Sequence, residues 1–190
     1  MNRMYLHILL SFAFSVLMIA FVSAAGASPA LGKFSGSIQA GDRELVLRGQ
    51  GLMRYLIFDL YNAALYLPEN LPAEKALEDV PKRLEAEYLR SLKKSDFNRS
   101  VHEYIVRNAG QQQYESLLPA IREHNALYRD VSAQDRYALS YVPGEGTTLE
   151  LNGRPLGTVG GAAFASALFS IWLGDDPIDA DLKRQLLNTQ

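Results

Sequence analysis

Hydrophobic and polar positions change their spacing several times along the chain, and the changes mark out its elements. Phe34 to Ile38 and Glu44 to Arg48 flank Ala40-Gly41-Asp42, which predicts two short strands around a turn. Arg54 to Leu67 is rich in aromatic and branched residues and ends at Pro68; it reads as one long, bent strand or as two strands. Asn70 to Val80 is a loop with at most a helical turn. Lys82 to Leu89 alternates, with Leu84, Ala86 and Tyr88 on one face and Arg83, Glu85 and Glu87 on the other, the pattern of a half-buried strand.

The spacing then becomes helical. Ser95 is a candidate N-cap, and Phe97, Val101, Tyr104, Ile105 and Asn108 fall on one side of a helix that Gly110 stops. Gln111 to Tyr128 keeps this spacing, but Pro119 lies inside it and must kink the helix or open a second one. Arg136 to Val142 is a strand, Pro143 to Gly146 a turn, and Thr147 to Leu151 the next strand. Asn152-Gly153 is a strong hairpin signal, with Arg154 to Val159 returning. Gly160 to Leu173 is apolar all round, which predicts a helix buried in the domain with Trp172 inside it. Asp179 or Asp181 starts a last helix near Leu182 to Leu187. Strands, helices, strands and a core helix in that order predict an α+β fold, an antiparallel sheet covered by a layer of helices.

The start of the chain follows a different pattern. Arg3 precedes an unbroken apolar run, Ile8 to Val22, and small-x-small patterns follow, ending at Ala24 and Ala27. This is the pattern of a secretory signal peptide over residues 1–27, leaving one domain over 28–190 in the periplasm or secreted. The run is shorter than the roughly 20 residues of a spanning helix, so no stable membrane span is expected after cleavage. The alternative is a retained N-terminal anchor in the inner membrane.

Composition narrows the partners. The chain has 190 residues, is 48% hydrophobic and carries a net charge of −2, enough apolar content for a core and too little charge imbalance for disorder. No run of like charges suggests a nucleic-acid surface. The absence of cysteine from the sequence excludes disulfides and thiolate chemistry. Neither a metal site nor a cofactor is expected: His102 and His124 fall on the polar faces of different helices, and no zinc, Walker, Rossmann or nucleophile-elbow spacing occurs. Asp175, Asp176, Asp179 and Asp181 read as helix capping and a solvated loop.

Four segments together resemble the bacterial branch of the chalcone isomerase-like family: Gly49 to Pro68, Asp79 to Glu85, Asp135 to Gly153, and Ala163 to Ile178. The resemblance implies an open-faced β-sandwich-like sheet covered by helices, with a cleft between the two layers. It also implies one of two behaviours. Plant enzymes of the family close a chalcone into a flavanone, using an arginine after a Gly-x-Gly turn and a helical tyrosine to stabilise an enolate. Other members lack that activity and bind fatty acids in the same cleft. In this sequence Gly49-Gln50-Gly51 is the Gly-x-Gly turn, and the arginine position is Met53. Arg54 is adjacent and reaches the cleft only if a bulge shifts the register. The helical tyrosine position is Phe97, and a threonine position on the long strand is Tyr61.

These replacements favour a non-catalytic binder of a fatty acid or similar small apolar ligand, with Arg54, Tyr61 or Tyr104 meeting a polar head. Losing one oxyanion donor costs about 2.7–4 kcal/mol, and here two are altered. Two alternatives remain open at this point: an intramolecular lyase or isomerase with its own polar set, and a structural or partner-binding protein with a filled cleft.

Overall fold

A computed structural model describes residues 33–189, and the signal-peptide reading of 1–27 lies outside the described residues. The described residues fall in one compact unit, Leu31–Gln190, which carries its own complete sheet and core. Seven antiparallel strands form a single meander in chain order: β1 (Ser37–Ala40), β2 (Arg43–Tyr55), β3 (Phe58–Leu67), β4 (Lys82–Tyr88), β5 (Arg136–Val142), β6 (Gly146–Leu151) and β7 (Arg154–Val159). Among the described residues five α-helices, α1 (Lys94–Ala109), α2 (Gln111–Ser116), α3 (Leu118–Leu127), α4 (Ala162–Leu173) and α5 (Ala180–Leu187), and a short 3-10 turn at Ala73–Lys75 complete it. The α+β architecture is the expected one. Among the described residues no helix is long and apolar enough to cross a membrane.

The alternation read in β4 sorts the two faces of the sheet. Ala63, Leu65 and Leu67 of β3, Leu84 and Ala86 of β4, and Leu139 of β5 face the helices and join one core with Phe164, Leu168 and Phe169 of α4 and Ile105 of α1. The opposite face carries a charged ladder. Arg83 makes a two-pronged contact with Glu150 (2.8 and 3.0 Å) and also bonds Glu85 at 2.9 Å, while Arg136 bonds Glu85 at 3.1 Å. These side chains are only partly exposed, so their charges have to be paired where they stand. A small second cluster of Ala40, Leu45, Ala64 and Tyr66 lies beside this ladder.

Several local expectations change. Arg54 to Leu67 is two strands, and the chain reverses at Leu56-Ile57 with Tyr55 opposite Phe58. Gly49-Gln50-Gly51 is no turn; it lies inside β2, which runs on from the strand expected at Glu44 to Arg48. Its glycines are required by packing. A Cβ on Gly49 would stand 2.1 Å from the Gln185 carbonyl oxygen, and one on Gly51 would stand 2.9 Å from the Leu182 side chain. The two glycines are the seat of α5 on β2. The first strand begins at Ser37, not Phe34. Ser95 does not cap α1, which starts at Lys94. The Asp96 carboxylate accepts from the Lys93 N–H at 3.0 Å, and Asp130, distant in sequence, accepts from the Lys94 N–H at 2.9 Å. Pro119 opens a second helix: α2 ends at Ser116, and the proline sits in the first turn of α3, where its missing N–H costs nothing. Asp179 caps α5 by accepting from the Leu182 N–H at 2.8 Å.

The glycine seat is directly testable. Gly49→Ala forces α5 away from backbone that cannot yield, and is expected to destabilise the unit by about 1–3 kcal/mol. Gly36→Ala, where a Cβ meets nothing within 4 Å, is expected to stay within about 0.5 kcal/mol of wild type. Urea unfolding of the two variants checks the contrast; equal stability would show that α5 is not seated on Gly49.

Candidate functional site

At the end of the sheet next to the β2–β3 hairpin, the helix-facing positions change from aliphatic to aromatic. Tyr61 of β3 pairs in register with Tyr88 of β4, and Tyr137 of β5 pairs with Ala86 just beside them. Phe97 of α1 and Tyr128, which follows α3, stack on each other at 5.0 Å and meet these rings from above. Tyr88 presents its ring edge-on to Tyr61 (5.5 Å), Phe97 (5.6 Å) and Tyr137 (6.0 Å). Edge-to-face rings are favourable pairs, but flat rings set at steep angles do not fill the seam between sheet and helices as branched aliphatics do.

The unfilled space is an apolar cavity of about 130 Å³. Its floor is Met53, Leu60, Tyr61 and Tyr88, and its helical walls are Phe97, Val101, Ile171 and Trp172. A void of about 30 Å³ continues inward between Tyr88, Tyr137 and Leu149. Outward, the cavity opens past Asp96 and Ser100 into a vestibule of about 610 Å³, bordered by Arg54, Tyr55, Arg99, Glu103 and Tyr104.

Inside its mouth, where Asp96 and Ser100 stand, the cavity is polar only through tyrosine hydroxyls and the Trp172 indole. The Trp172 indole N–H donates to the Tyr61 hydroxyl at 3.0 Å. Burial pushes the phenols of Tyr61, Tyr88 and Tyr128 above the ordinary tyrosine range, so they are neutral at physiological pH. The Tyr128 hydroxyl lies 3.2 Å from Nε2 of His124, which is fully buried beneath it. Burial lowers the His124 imidazole to a pKa of about 4, so it too is neutral.

The expected site residues divide into two groups. Met53, Tyr61 and Phe97 meet in the cavity wall. Arg54 and Tyr104 stand at the vestibule instead. The register does shift between Met53 and Arg54, but the Arg54 side chain remains 60% exposed and its Nε donates to Asp59 at 2.8 Å. Tyr104 lies beneath the Arg107 guanidinium, 4.9 Å from its ring centre.

One further expectation is overturned and one is refined. His124 is not on a polar face; it packs against Phe164 and Tyr128 in the core. Trp172 packs against the core as expected, but it is only partly buried, because its position on α4 also lines the cavity at the aromatic end of the sheet. Tyr88, Tyr128 and Trp172 belong to the cavity and were not expected there. The inward alternation of Tyr88 was the one available signal. Three of the four clustered aspartates have partners: Asp176 pairs with Arg107 through two bonds of 2.7 and 2.6 Å, Asp179 caps α5, and Asp181 pairs with Arg184.

Comparison with known proteins supplies the context for this cleft. A model of the chalcone isomerase-like family matches residues 30–188. No curated protein matches the chain in sequence. Among solved structures, the fold is similar to a fatty-acid binding protein of Arabidopsis thaliana, with a TM-score of 0.65 and 18% identity over 85% of this chain and 94% of that one.

The buried imidazole makes stability depend on pH. With a folded pKa of about 4 against about 6.5 unfolded, the unfolded chain binds a proton that the folded chain does not. Stability is therefore full above about pH 6.5 and falls as the pH drops toward 4, by about 3 kcal/mol in all. Comparing wild type with His124→Gln by urea unfolding between pH 7 and pH 4 measures this. The variant is expected to lose about 3 kcal/mol less over that interval, and parallel curves would mean that His124 is not buried in its neutral form.

Proposed function

The chain belongs to the chalcone isomerase-like family, and on that premise we propose that its cleft holds a fatty acid or a similar small amphiphile without chemically transforming it. The observation that carries this reading is the graded polarity of the cleft: an apolar cavity of about 130 Å³ opening into a wider, arginine-bordered vestibule. Ligand pockets have this composition, mostly apolar walls with a few placed polar groups. An apolar cavity of about 150 Å³ accommodates benzene, so the inner cavity suits the last half-dozen or so carbons of a chain. At about 0.8 kcal/mol per buried CH₂, that contributes roughly 4–5 kcal/mol, and the rest of the chain lies in the vestibule.

The carboxylate belongs at the mouth, since burying it without a partner is prohibitive. Arg54 and Arg99 are the cations placed there, and Arg99 is paired with Asp96. Asp59 engages only the Arg54 Nε, which leaves the terminal Arg54 nitrogens available to the ligand. The solved Arabidopsis structure described as a fatty-acid binding protein supports the same ligand class. The leader-like residues 1–27 support an exported protein, which would meet such ligands outside the cytoplasm.

A cyclase reading needs a preorganised donor or cation where an enolate would form. Met53 and Phe97 occupy the positions where the family's enzymes carry arginine and tyrosine, and neither side chain can donate a hydrogen bond. The buried phenols nearby are pushed upward, which weakens rather than strengthens them as stabilisers of negative charge.

Calorimetry with a long-chain fatty acid tests the proposal. One-to-one binding with a negative heat-capacity change is expected. Val101→Phe, which places a ring in the cavity, is expected to weaken binding tenfold or more. Arg54→Ala is expected to weaken it about fivefold, or about 1 kcal/mol, because the guanidinium is largely exposed. Chalcone added to the same protein should disappear only at its spontaneous rate. Absence of fatty-acid binding, or chalcone turnover well above background, would overturn the reading.

A further inference from the structure

The β2–β3 hairpin ends in an apolar apex whose tip residues, Leu56 and Ile57, border neither the cavity nor the vestibule. Tyr55, Leu56, Ile57 and Phe58 are consecutive and stand 60, 81, 87 and 42% exposed. Turns are normally built from Gly, Asn, Asp, Pro and Ser. Here Leu56 holds a φ of 55°, in the left-handed region that glycine or asparagine usually supplies in a two-residue hairpin. An apolar apex is thus kept at a position where both solvation and backbone preference favour a small or polar residue.

The base of the apex is cationic. The Arg90 guanidinium covers the Phe58 ring at 4.6 Å, and its Nε donates to the Asp59 carbonyl at 3.2 Å. Arg54 stands on the other strand, opposite Asp59. Two guanidiniums flank the apex, and the Asp59 carboxylate pairs with that of Arg54. Arg54 and Tyr55 also border the vestibule, so the apex lies at the entrance to the cleft.

We propose that this hairpin apex is a membrane-docking wedge, which inserts Leu56 and Ile57 into a phospholipid surface while Arg54 and Arg90 meet anionic headgroups. The shape selects the occupant. The apex projects from the sheet, and four side chains of this size expose on the order of 500 Å², short of the roughly 800 Å² per partner of a specific protein interface. A bilayer needs no shaped complement. It takes apolar tips below the headgroups, aromatic flanks at the interface and cations against its negative surface potential. Docked this way, the cleft mouth faces the lipid, and an amphiphile can pass between bilayer and cavity with little exposure to water.

This inference goes beyond the ligand reading, and its test is read without any fatty acid. The Leu31–Gln190 unit is sedimented with vesicles of phosphatidylethanolamine and phosphatidylglycerol, beside the double variant Leu56→Gly, Ile57→Asn. Gly-Asn suits a two-residue hairpin, so the variant should melt no lower than wild type while lacking the wedge. Wild type is expected to bind at least tenfold more tightly than the variant, and more tightly than it binds pure phosphatidylcholine vesicles. Fatty-acid affinity in solution is expected to be the same in both proteins, which separates failure of docking from failure of the ligand reading. Absence of wild-type binding, or equal binding by both proteins, would overturn the wedge. Equal binding to phosphatidylcholine would overturn the headgroup role of the arginines. A wild-type dimer that the variant abolishes would assign the apex to a second copy of the chain instead.

Discussion

The site depends on how aromatic rings pack where sheet and helices meet. At one end of the helix-facing sheet surface, Ala63, Leu65, Leu84 and Leu139 close against Phe164, Leu168 and Phe169 as an ordinary core. At the other end Tyr61, Tyr88 and Tyr137 stand in the same layer, and Phe97 and Tyr128 oppose them. These rings meet mostly edge to face at 5.3–6.0 Å. Interiors normally pack as densely as organic crystals, and steeply angled rings with polar tips depart from that. The cleft lies where the layer changes from aliphatic to aromatic. Removing its tyrosine hydroxyls or replacing its rings with leucine would change the cavity before it changed the fold.

The polar groups around the cavity are arranged so that charge stays at its mouth, where Asp96 stands. The Tyr61 hydroxyl is held by the Trp172 indole, and the Tyr128 hydroxyl lies against a neutral imidazole. Cations and carboxylates are kept at the vestibule, where water can solvate them. This separation suits a chain with one charged end. It does not suit a reaction that develops negative charge deep in the cleft, which needs a donor already in place. On the proposed reading the family fold holds an apolar cavity wall here, with Met53 a side chain that adapts to flexible chains.

Much of the fold was legible because charge and turn chemistry mark it. The alternation of Arg83, Glu85 and Glu87 against Leu84, Ala86 and Tyr88 identified β4, and Asn152-Gly153 identified the β6–β7 hairpin. The failures have physical causes. Gly49-Gln50-Gly51 reads as a turn because glycine signals freedom of φ; its function here, closeness to α5, leaves the same letters in the sequence. The turn at Leu56-Ile57 was hidden because its residues are apolar and branched, the reverse of turn chemistry. Capping by Asp130 across the fold is invisible to local spacing. Of the expected ligand-contacting residues, Met53, Tyr61 and Phe97 line the apolar cavity, whereas Arg54 and Tyr104 stand at its vestibule. Tyr88, Tyr128 and Trp172 escaped because a cavity is made by what fails to fill space, and periodicity reports only which face a side chain takes. His124 escaped because a polar letter on a helix is read as solvent-facing, while three-dimensional packing buries it.

Trp172 is the only tryptophan in the sequence, and it forms part of the cavity wall, which makes it a reporter at the site. The most direct measurement is its fluorescence during titration with a fatty acid brominated near the end of its chain, with a headgroup-proximal bromine as comparison. If the tail enters the aromatic cavity, the tail-brominated ligand quenches Trp172 saturably at one equivalent, and the headgroup-proximal ligand quenches it much less. Stoichiometric binding with no quenching of Trp172 by either ligand would contradict the account, because the chain would then lie somewhere other than the seam between Tyr61, Tyr88 and Phe97.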